Sequence, residues 1–267
     1  MSNIGRPAKG ELMTKLMVAA ALALALGRAA DEDLDKVAAK AAEMGNYSCT
    51  VTVKMEGGGG GGGGGGQGGG MPAVEMKVKA DSPIHMKAGE IEAYKKGEIV
   101  AVKDGETWKR LERPQRPAPG ETPDRRRNAA QGFRTMRAPH EILKDLKSSA
   151  FKEVKREDGE GGRVFSGDLS DEGLKPFSMQ GRRGGDGGGQ GGDRPAPNST
   201  GTAKIWVNGD GAITKYEVHI ETKFKTRDGE ERTTKRTVTG EIKDIGTTQY
   251  DVPADAAKVF EPKTSEK

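Results

Sequence analysis

The residue types best suited to catalysis or metal binding are few and widely spaced in this chain of 267 residues. Its three histidines are His85, His140 and His219, and no two of them form an HxH or HxxxH pair. Cys49 is the only cysteine, so neither a CxxC motif nor an internal disulfide is available. We therefore predict no metal site and interpret the histidines as surface residues.

Motifs for other chemistries are also missing. No Gly-x-Ser-x-Gly nucleophile elbow occurs, and no Gly-Lys-Ser/Thr follows the glycine-rich segments. Cys49 lies in an alternating, strand-like run and is interpreted as a small buried side chain rather than as a catalytic thiol. We expect a protein that is not an enzyme, with no catalytic residue and no cofactor. A pair of carboxylates acting as in a glycosidase stays open as an alternative.

The charge of the chain excludes a globally basic nucleic-acid-binding domain. Forty-four basic and 40 acidic residues give a net charge of +4 and a pI near 9.0. Residues 1–29 contain four basic residues and one acidic residue, which leaves 40 basic and 39 acidic residues in the remainder. A nucleic-acid partner is therefore not expected. The basic run Arg125–Arg127 is the densest local patch, and a contact with anionic lipid headgroups or with an acidic partner stays open there.

The N-terminal residues have the pattern of a secretory signal. Lys15 precedes the apolar run Leu16–Leu26, and small residues follow up to Ala29. An 11-residue run spans only about 16 Å as a helix, too short for a membrane core of roughly 30 Å. We expect cleavage near Ala29 and a periplasmic or secreted bacterial protein. Cys49 lies far beyond that point, so a lipid-anchored N-terminus is not expected.

Glycine is concentrated in two segments that interrupt an otherwise ordinary folded sequence. Of the 41 glycines, 13 lie in 57–70 and 8 in 181–192. Both segments stand between strand-like runs, and longer loops cost little because closure entropy grows logarithmically. The predicted organisation is a signal peptide (1–29), one domain (30–260) with glycine-rich loops at 57–70 and 181–198 and a Pro/Arg-rich loop at 113–127, and a tail (261–267).

Periodicity predicts a mainly β domain of the α+β class. Asp31–Met44 has helical spacing of apolar residues, and a short helix is predicted for Pro139–Lys147. Most other segments alternate apolar and charged residues and are joined by turns such as Asn208–Gly211. This pattern is typical of an antiparallel sheet with one solvated face. We predict a curved antiparallel sheet forming an unclosed β-barrel of about ten strands, with short helices covering its concave face. Predicted strands include Tyr47–Glu56, Ala212–Thr226, Glu231–Ile245 and a short Thr248–Val252.

This order of elements resembles the LolA/LolB-like superfamily of bacterial periplasmic lipoprotein carriers and lipid-binding proteins. The matching segments are a helix (Asp31–Met44) leading into Tyr47–Val53, the strand series Ile91–Trp108, the hairpin Trp206–Lys215, and the run Asp244–Pro253. The pattern covers most of residues 31–260. The resemblance implies a half-barrel with helices as a lid over a hydrophobic cavity, and binding of acyl chains without bond-making chemistry.

A soluble carrier for lipid, lipoprotein or another hydrophobic ligand is the first functional hypothesis. A membrane surface or an envelope protein is left open as a further partner. The alternative is a non-enzymatic envelope-sensing or protein-interaction module of the same fold, with a packed interior. The residues predicted to line the ligand site are Val51, Val53, Met55, Val74, Met76, Val78, Trp108, Ile205, Val207, Tyr216, Val218, Ile220 and Phe224.

Overall fold

A computed structural model of the chain describes residues 29–57, 72–112, 125–177, 198–225 and 229–261. Within these residues, eleven antiparallel strands form one sheet in the order β6-β5-β4-β3-β2-β1-β11-β10-β9-β8-β7. The predicted fold class is confirmed. The strands are β1 (Asn46–Glu56), β2 (Val74–Lys79), β3 (Ile84–Ala88), β4 (Ile91–Lys96), β5 (Ile99–Asp104), β6 (Thr107–Arg110), β7 (Lys155–Gly159), β8 (Gly162–Asp168), β9 (Asn198–Val207), β10 (Ile213–Lys225) and β11 (Glu231–Lys243).

All the short helices except the last, α5, cover one face of this sheet. The part of the chain that the structure describes contains no helix long and apolar enough to cross a membrane. The helices are α1 (29–42), α2 (Arg125–Thr135), α3 (Pro139–Asp145), α4 (Asp171–Leu174) and α5 (Ala254–Lys258), with 3₁₀ turns at Ser148–Ala150 and Lys175–Phe177.

The pairing of β1 with β11 joins the two halves of the chain. Every other neighbouring pair in the sheet is also adjacent in sequence. The β1–β11 register runs from Ser48 opposite Lys243 to Glu56 opposite Lys235. This single long-range pairing places the N-terminal strands β1–β6 and the C-terminal strands β7–β11 in one continuous surface.

Alternation along β10 separates a concave, apolar face from a charged outer face, as predicted. Tyr216, Val218 and Ile220 are buried, whereas His219 between them is exposed. Burial drives this arrangement, because each fully buried aliphatic side chain contributes roughly 1.5–3 kcal/mol relative to an exposed one. The outer face carries cross-strand charge pairs such as Glu221 with Lys235.

The core lies between the concave face and the helices. Leu34 of α1, Phe133 of α2, and Leu143 of α3 are fully buried against the inward residues of the strands. Asp33 of α1 pairs with Arg156 of β7, which ties the helix to the far edge of the sheet. One contiguous core therefore runs under the helices.

Several sequence-based boundaries were wrong. Thr248–Val252 is not a strand, because Thr248 is buried and bonds the Asp244 carbonyl by its hydroxyl while the segment leads into α5. Strand β3 and helices α2 and α4 were not predicted. Helix α2 starts at Arg125, inside the loop predicted for 113–127. Residues 1–28, 58–71, 113–124, 178–197, 226–228 and 262–267 lie outside the described residues, so most of the signal and of the glycine-rich loops is untested.

Gly240 of β11 gives the concave face its shape at the centre. It stands opposite Tyr216 of β10 and Val51 of β1. A Cβ atom at Gly240 would lie 2.1 Å from Cε1 and 2.8 Å from the hydroxyl oxygen of Tyr216. The Tyr216 ring thus lies flat over the β11 backbone and reaches across toward β1, which only a glycine at position 240 permits.

We expect Gly240→Ala to lower the free energy of unfolding by about 1–3 kcal/mol, because the new methyl group must displace the Tyr216 ring. Urea denaturation measures the change. Gly209→Ala is the matched control, since a Cβ there meets nothing within 4 Å. In a Tyr216→Leu background the same glycine substitution should cost much less; an equal loss in both backgrounds would contradict the contact.

Candidate functional site

The structure places most of the predicted ligand residues together on the concave face. Val53 and Phe224 are half-buried there, and Met55 is 40% exposed at the end of β1, so Met55 is not a core residue. The buried members are Val51, Val74, Met76, Val78, Ile205, Val207, Tyr216, Val218 and Ile220.

Trp108 does not belong with this group. Its ring lies on the outer face, with its centroid 5.1 Å from that of the Tyr94 ring. Both rings belong to a separate small cluster with Tyr250 and with Ala256, which is part of α5. The Tyr94 hydroxyl donates to the Asp251 carbonyl at 3.1 Å, which fixes the chain leading into α5. The docking of α5 on the outer face of β4–β6 therefore separates Trp108 from the other residues predicted to bind a ligand.

The concave face is filled by side chains from the helices. Two surface concavities in the described residues, of about 560 and 290 Å³, lie outside the sheet. The larger one runs between α1 and the segment around Lys175, over Ala38, Ala39 and Ala42. Neither concavity is lined by any residue predicted to bind a ligand. Because the inward strand residues are buried against helical residues such as Phe133 and Leu143, a ligand on the concave face would have to displace helical side chains.

A lysine on the concave face holds the junction of α2 and α3. The Lys95 ammonium donates to the Met136 carbonyl at 2.6 Å and to the Arg134 carbonyl at 3.1 Å. Burial lowers the pKa of Lys95, since its charge lies away from water. These bonds satisfy carbonyl groups at the C-terminal end of α2, where a cation also complements the helix dipole.

A second polar contact holds α3. The Tyr47 hydroxyl of β1 and Nδ1 of His140 are 2.6 Å apart, and the His140 backbone N–H donates to the same hydroxyl oxygen at 3.3 Å. The Tyr47 hydroxyl therefore contacts both the ring and the backbone of His140. Burial is the main cause that lowers the pKa of His140, and burial likewise raises the pKa of Tyr47 far above its usual range.

The Tyr216 hydroxyl is a buried polar group for which the described residues provide no hydrogen-bond partner. The side chain is 0% exposed, and desolvation raises the pKa of this phenol far above its usual range. Such an unpaired hydroxyl costs about 1–3 kcal/mol. It lies over Gly240, on the same face as Val51 and Cys49.

The only cysteine lies in the core and is not activated as a nucleophile. Burial raises the pKa of the Cys49 thiol to about 12, so the thiolate nucleophile is not formed near neutral pH. Cys49 is a buried side chain, as predicted. In the described part of the chain, no group of three or more His, Cys, Asp or Glu could hold a metal ion.

The histidines have three different environments. His219 is on the outer face, with Nε2 2.7 Å from Glu217 and Nδ1 2.9 Å from Thr237, which confirms its prediction as a surface residue. The same interpretation was wrong for His140, which is half-buried at the Tyr47 contact, and for His85, which pairs with Glu92 at 2.9 Å.

Lys95 and His140 were not predicted as functional residues, and the sequence pattern marks only Lys95. Ile91, Ala93 and Lys95 are alternate residues of β4. Alternation alone therefore places the Lys95 side chain on the concave face. No local pattern marks His140, because its partner is 93 residues away.

The chain matches no protein-family model, and no curated protein sequence matches it. A function must therefore be argued from the side chains of the concave face and what surrounds them.

We expect the free energy of unfolding to fall as the pH drops below about 6.5, the ordinary histidine pKa. The folded state lowers the pKa of His140, so the unfolded chain takes up a proton first and stability is lost toward acid. Chemical denaturation between pH 7.5 and 5 measures this slope. His140→Gln should flatten it, whereas His219→Gln on the exposed outer face should not; equal slopes for wild type and His140→Gln would contradict the assignment.

Proposed function

We propose that this protein binds a hydrophobic ligand, such as the acyl chains of a lipid or lipoprotein, on the concave face of its half-barrel and acts as an exported carrier. The observation that carries this proposal is the buried hydroxyl of Tyr216, which has no hydrogen-bond partner among the described residues and lies at the centre of a mostly apolar face. A ligand carbonyl or ester oxygen at that point would accept its hydrogen bond. In this proposal residues 1–29 direct export and are removed near Ala29.

The free energy of burying an acyl chain favours replacement of helical side chains by the ligand on the concave face. Each CH₂ group of a buried acyl chain contributes about 0.8 kcal/mol. A chain of ordinary length therefore compensates for the displacement of a few side chains such as Phe133 and Leu143. Satisfying the Tyr216 hydroxyl adds specificity for a ligand with an acceptor near its apolar part.

Helices α2 and α3 form the lid in this proposal. Two polar contacts fasten their junction to the concave face, one from Lys95 and one between Tyr47 and His140. Most of the other contacts there are apolar and non-directional, so the ligand can replace them. In this proposal, ligand entry requires α2 and α3 to move away from the concave face.

The packed interior favours a second candidate, a protein-interaction or envelope-sensing module with no internal ligand. In that case the outer surface would bind the partner protein, and the Tyr216 hydroxyl would be a buried polar group without a functional role.

Native mass spectrometry of the chain from residue 30, purified from a bacterial periplasm without detergent, distinguishes the carrier from the interaction module. Extra mass that extracts as lipid supports the carrier; a chain that stays free of ligand after incubation with lipids and lipopeptides supports the module.

We expect Tyr216→Phe to stabilise the ligand-free protein by about 1–3 kcal/mol and to weaken ligand binding, because it removes an unpaired buried hydroxyl that a ligand would use. Thermal unfolding and native mass spectrometry measure the two effects. Tyr47→Phe is the matched control: it removes a hydroxyl that is already paired with His140, so it should destabilise the protein. Increased stability of Tyr216→Phe with unchanged ligand retention would contradict a binding role for this hydroxyl.

We expect Lys95→Met to loosen the lid, because the Arg134 and Met136 carbonyls lose their donor. Hydrogen exchange followed by mass spectrometry should show faster exchange in α2 and α3, while β9–β11 keep their protection. Lys96→Met, at the exposed neighbouring position, is the control. Unchanged exchange in α2 and α3 would mean that apolar packing alone holds the lid.

A further inference from the structure

The three histidines differ in the charge of the groups that their rings contact. Nε2 of His85 lies 2.9 Å from the Glu92 carboxylate. Nε2 of His219 lies 2.7 Å from the Glu217 carboxylate. A proton gained by either ring would be stabilised by the adjacent negative charge. In the part of the chain that the structure describes, the ring of His140 bonds no carboxylate.

The ring of His140 faces a neutral, buried group on β1. Its Nδ1 lies 2.6 Å from the hydroxyl oxygen of Tyr47, and the two rings stand edge to face with centroids 5.9 Å apart. Tyr47 is fully buried, and burial raises the pKa of its phenol far above the usual range, so the phenol is uncharged at neutral pH. A proton on His140 would therefore place a cation at a buried contact where β1 offers no opposite charge.

The charged groups close to His140 in its own segment oppose one another. Burial is the largest influence on the pKa of His140 and lowers it; among the charges, Glu141 raises this pKa and Arg137 lowers it. Glu141 accepts a hydrogen bond from the Ala138 backbone N–H at 3.0 Å. Arg137 donates to the Asp145 carboxylate at 2.7 Å. Both charges are thus engaged in the first turns of α3, and burial determines that the His140 ring is neutral.

The Tyr47–His140 contact lies next to the short connection on which α3 would move. Three residues, 136–138, join α2 to α3. Lys95 of β4 donates to the Met136 carbonyl at 2.6 Å, so a protonated His140 would be a second partly buried cation near this junction. The apolar residues of α3 pack by non-directional contacts, which a ligand can replace. Movement of α3 away from the concave face must break the bond between Tyr47 and His140.

We propose that proton uptake by the His140 ring releases α3 from Tyr47 and promotes entry of the ligand onto the concave face. We call this device, formed by Tyr47 and His140, the proton gate. The inference rests on the proposed binding of a hydrophobic ligand and adds its regulation. The open lid exposes His140 to water, where the ring accepts a proton readily. Ligand and proton both favour the open form, so each promotes binding of the other. Acid should therefore raise ligand affinity, although it lowers the stability of the closed fold.

Hydrogen exchange of the ligand-free chain tests the proton gate directly. Amides of α3 should exchange faster than those of β9–β11, because opening of the lid is local. After correction for the intrinsic effect of pH, their protection should fall as the pH drops from 7.5 to 5.5. In His140→Gln, which keeps a hydrogen-bonding side chain that does not titrate, this fall should be absent. His219→Gln is the matched control and should behave as wild type, since His219 bonds Glu217 on the outer face.

Binding of a neutral monoacylglycerol, which does not itself titrate in this range, measures the coupling between proton and ligand. Wild-type affinity should rise at least about threefold between pH 7.5 and 5, with a limit of about 30-fold set by one histidine of ordinary pKa near 6.5 in the open form. Calorimetry at pH 6 in two buffers of different ionisation enthalpy should show uptake of a fraction of a proton per ligand. His140→Gln should bind with an affinity independent of pH and take up no proton, whereas His219→Gln should match wild type.

The outcomes separate the proton gate from the carrier. Wild-type affinity that is equal at both pH values, or lower at pH 5, would overturn the gate and leave the carrier intact. Exchange of α3 only together with the sheet would also overturn the gate, because opening would then not be local. Failure of the monoacylglycerol to bind at either pH would overturn the carrier and the coupling to ligand together. If His140→Gln does not fold, calorimetry of wild type decides: binding without proton uptake at pH 6 would overturn the gate.

Discussion

The antiparallel pairing of β1 with β11 is the constraint on which the rest of the structure depends. It joins strands from the two ends of the chain over the register Ser48–Lys243 to Glu56–Lys235. The residues paired across β1, β11 and β10 form the centre of the concave face. There Gly240 lies between Val51 and Tyr216 and leaves space for the tyrosine ring. Without this pairing the chain would be two separate meanders, each too small to bury the helices.

The concave face combines tight packing with polar groups that are costly to bury. Lys95 and His140 are held by neutral partners, carbonyl groups and a hydroxyl, whereas the Tyr216 hydroxyl has no partner within the described residues. An apolar core of this size gains nothing in stability from an unpaired hydroxyl. Its position among residues that a carrier would use is therefore the strongest link between the geometry and the proposed function.

The two faces of the sheet differ in how they use charge. On the outer face of the long strands, acidic and basic residues stand opposite each other and neutralise one another. On the concave face, the Lys95 ammonium is instead held by the Arg134 and Met136 carbonyls at the junction of α2 and α3.

The sequence by itself determined the class of the fold and most of the concave face. Alternation is a local property, so the inward positions of β1, β2, β9 and β10 could be assigned before any strand partner was known. The same alternation placed Cys49 in the core and His219 on the surface. Short segments of mixed polarity, such as Ile84–Ala88 and Thr248–Val252, were assigned less well because neighbouring elements decide their pairing.

Only the tertiary structure decided which residues meet. Lys95 reaches carbonyls 39 and 41 residues away, and Tyr47 reaches His140 across 93 residues, so no local spacing encodes these contacts. Trp108 was separated from the other predicted ligand residues by the docking of α5 on the outer face. Alternation assigns a residue to a face of its own strand, whereas helix docking determines what covers that face, and docking depends on the assembled sheet.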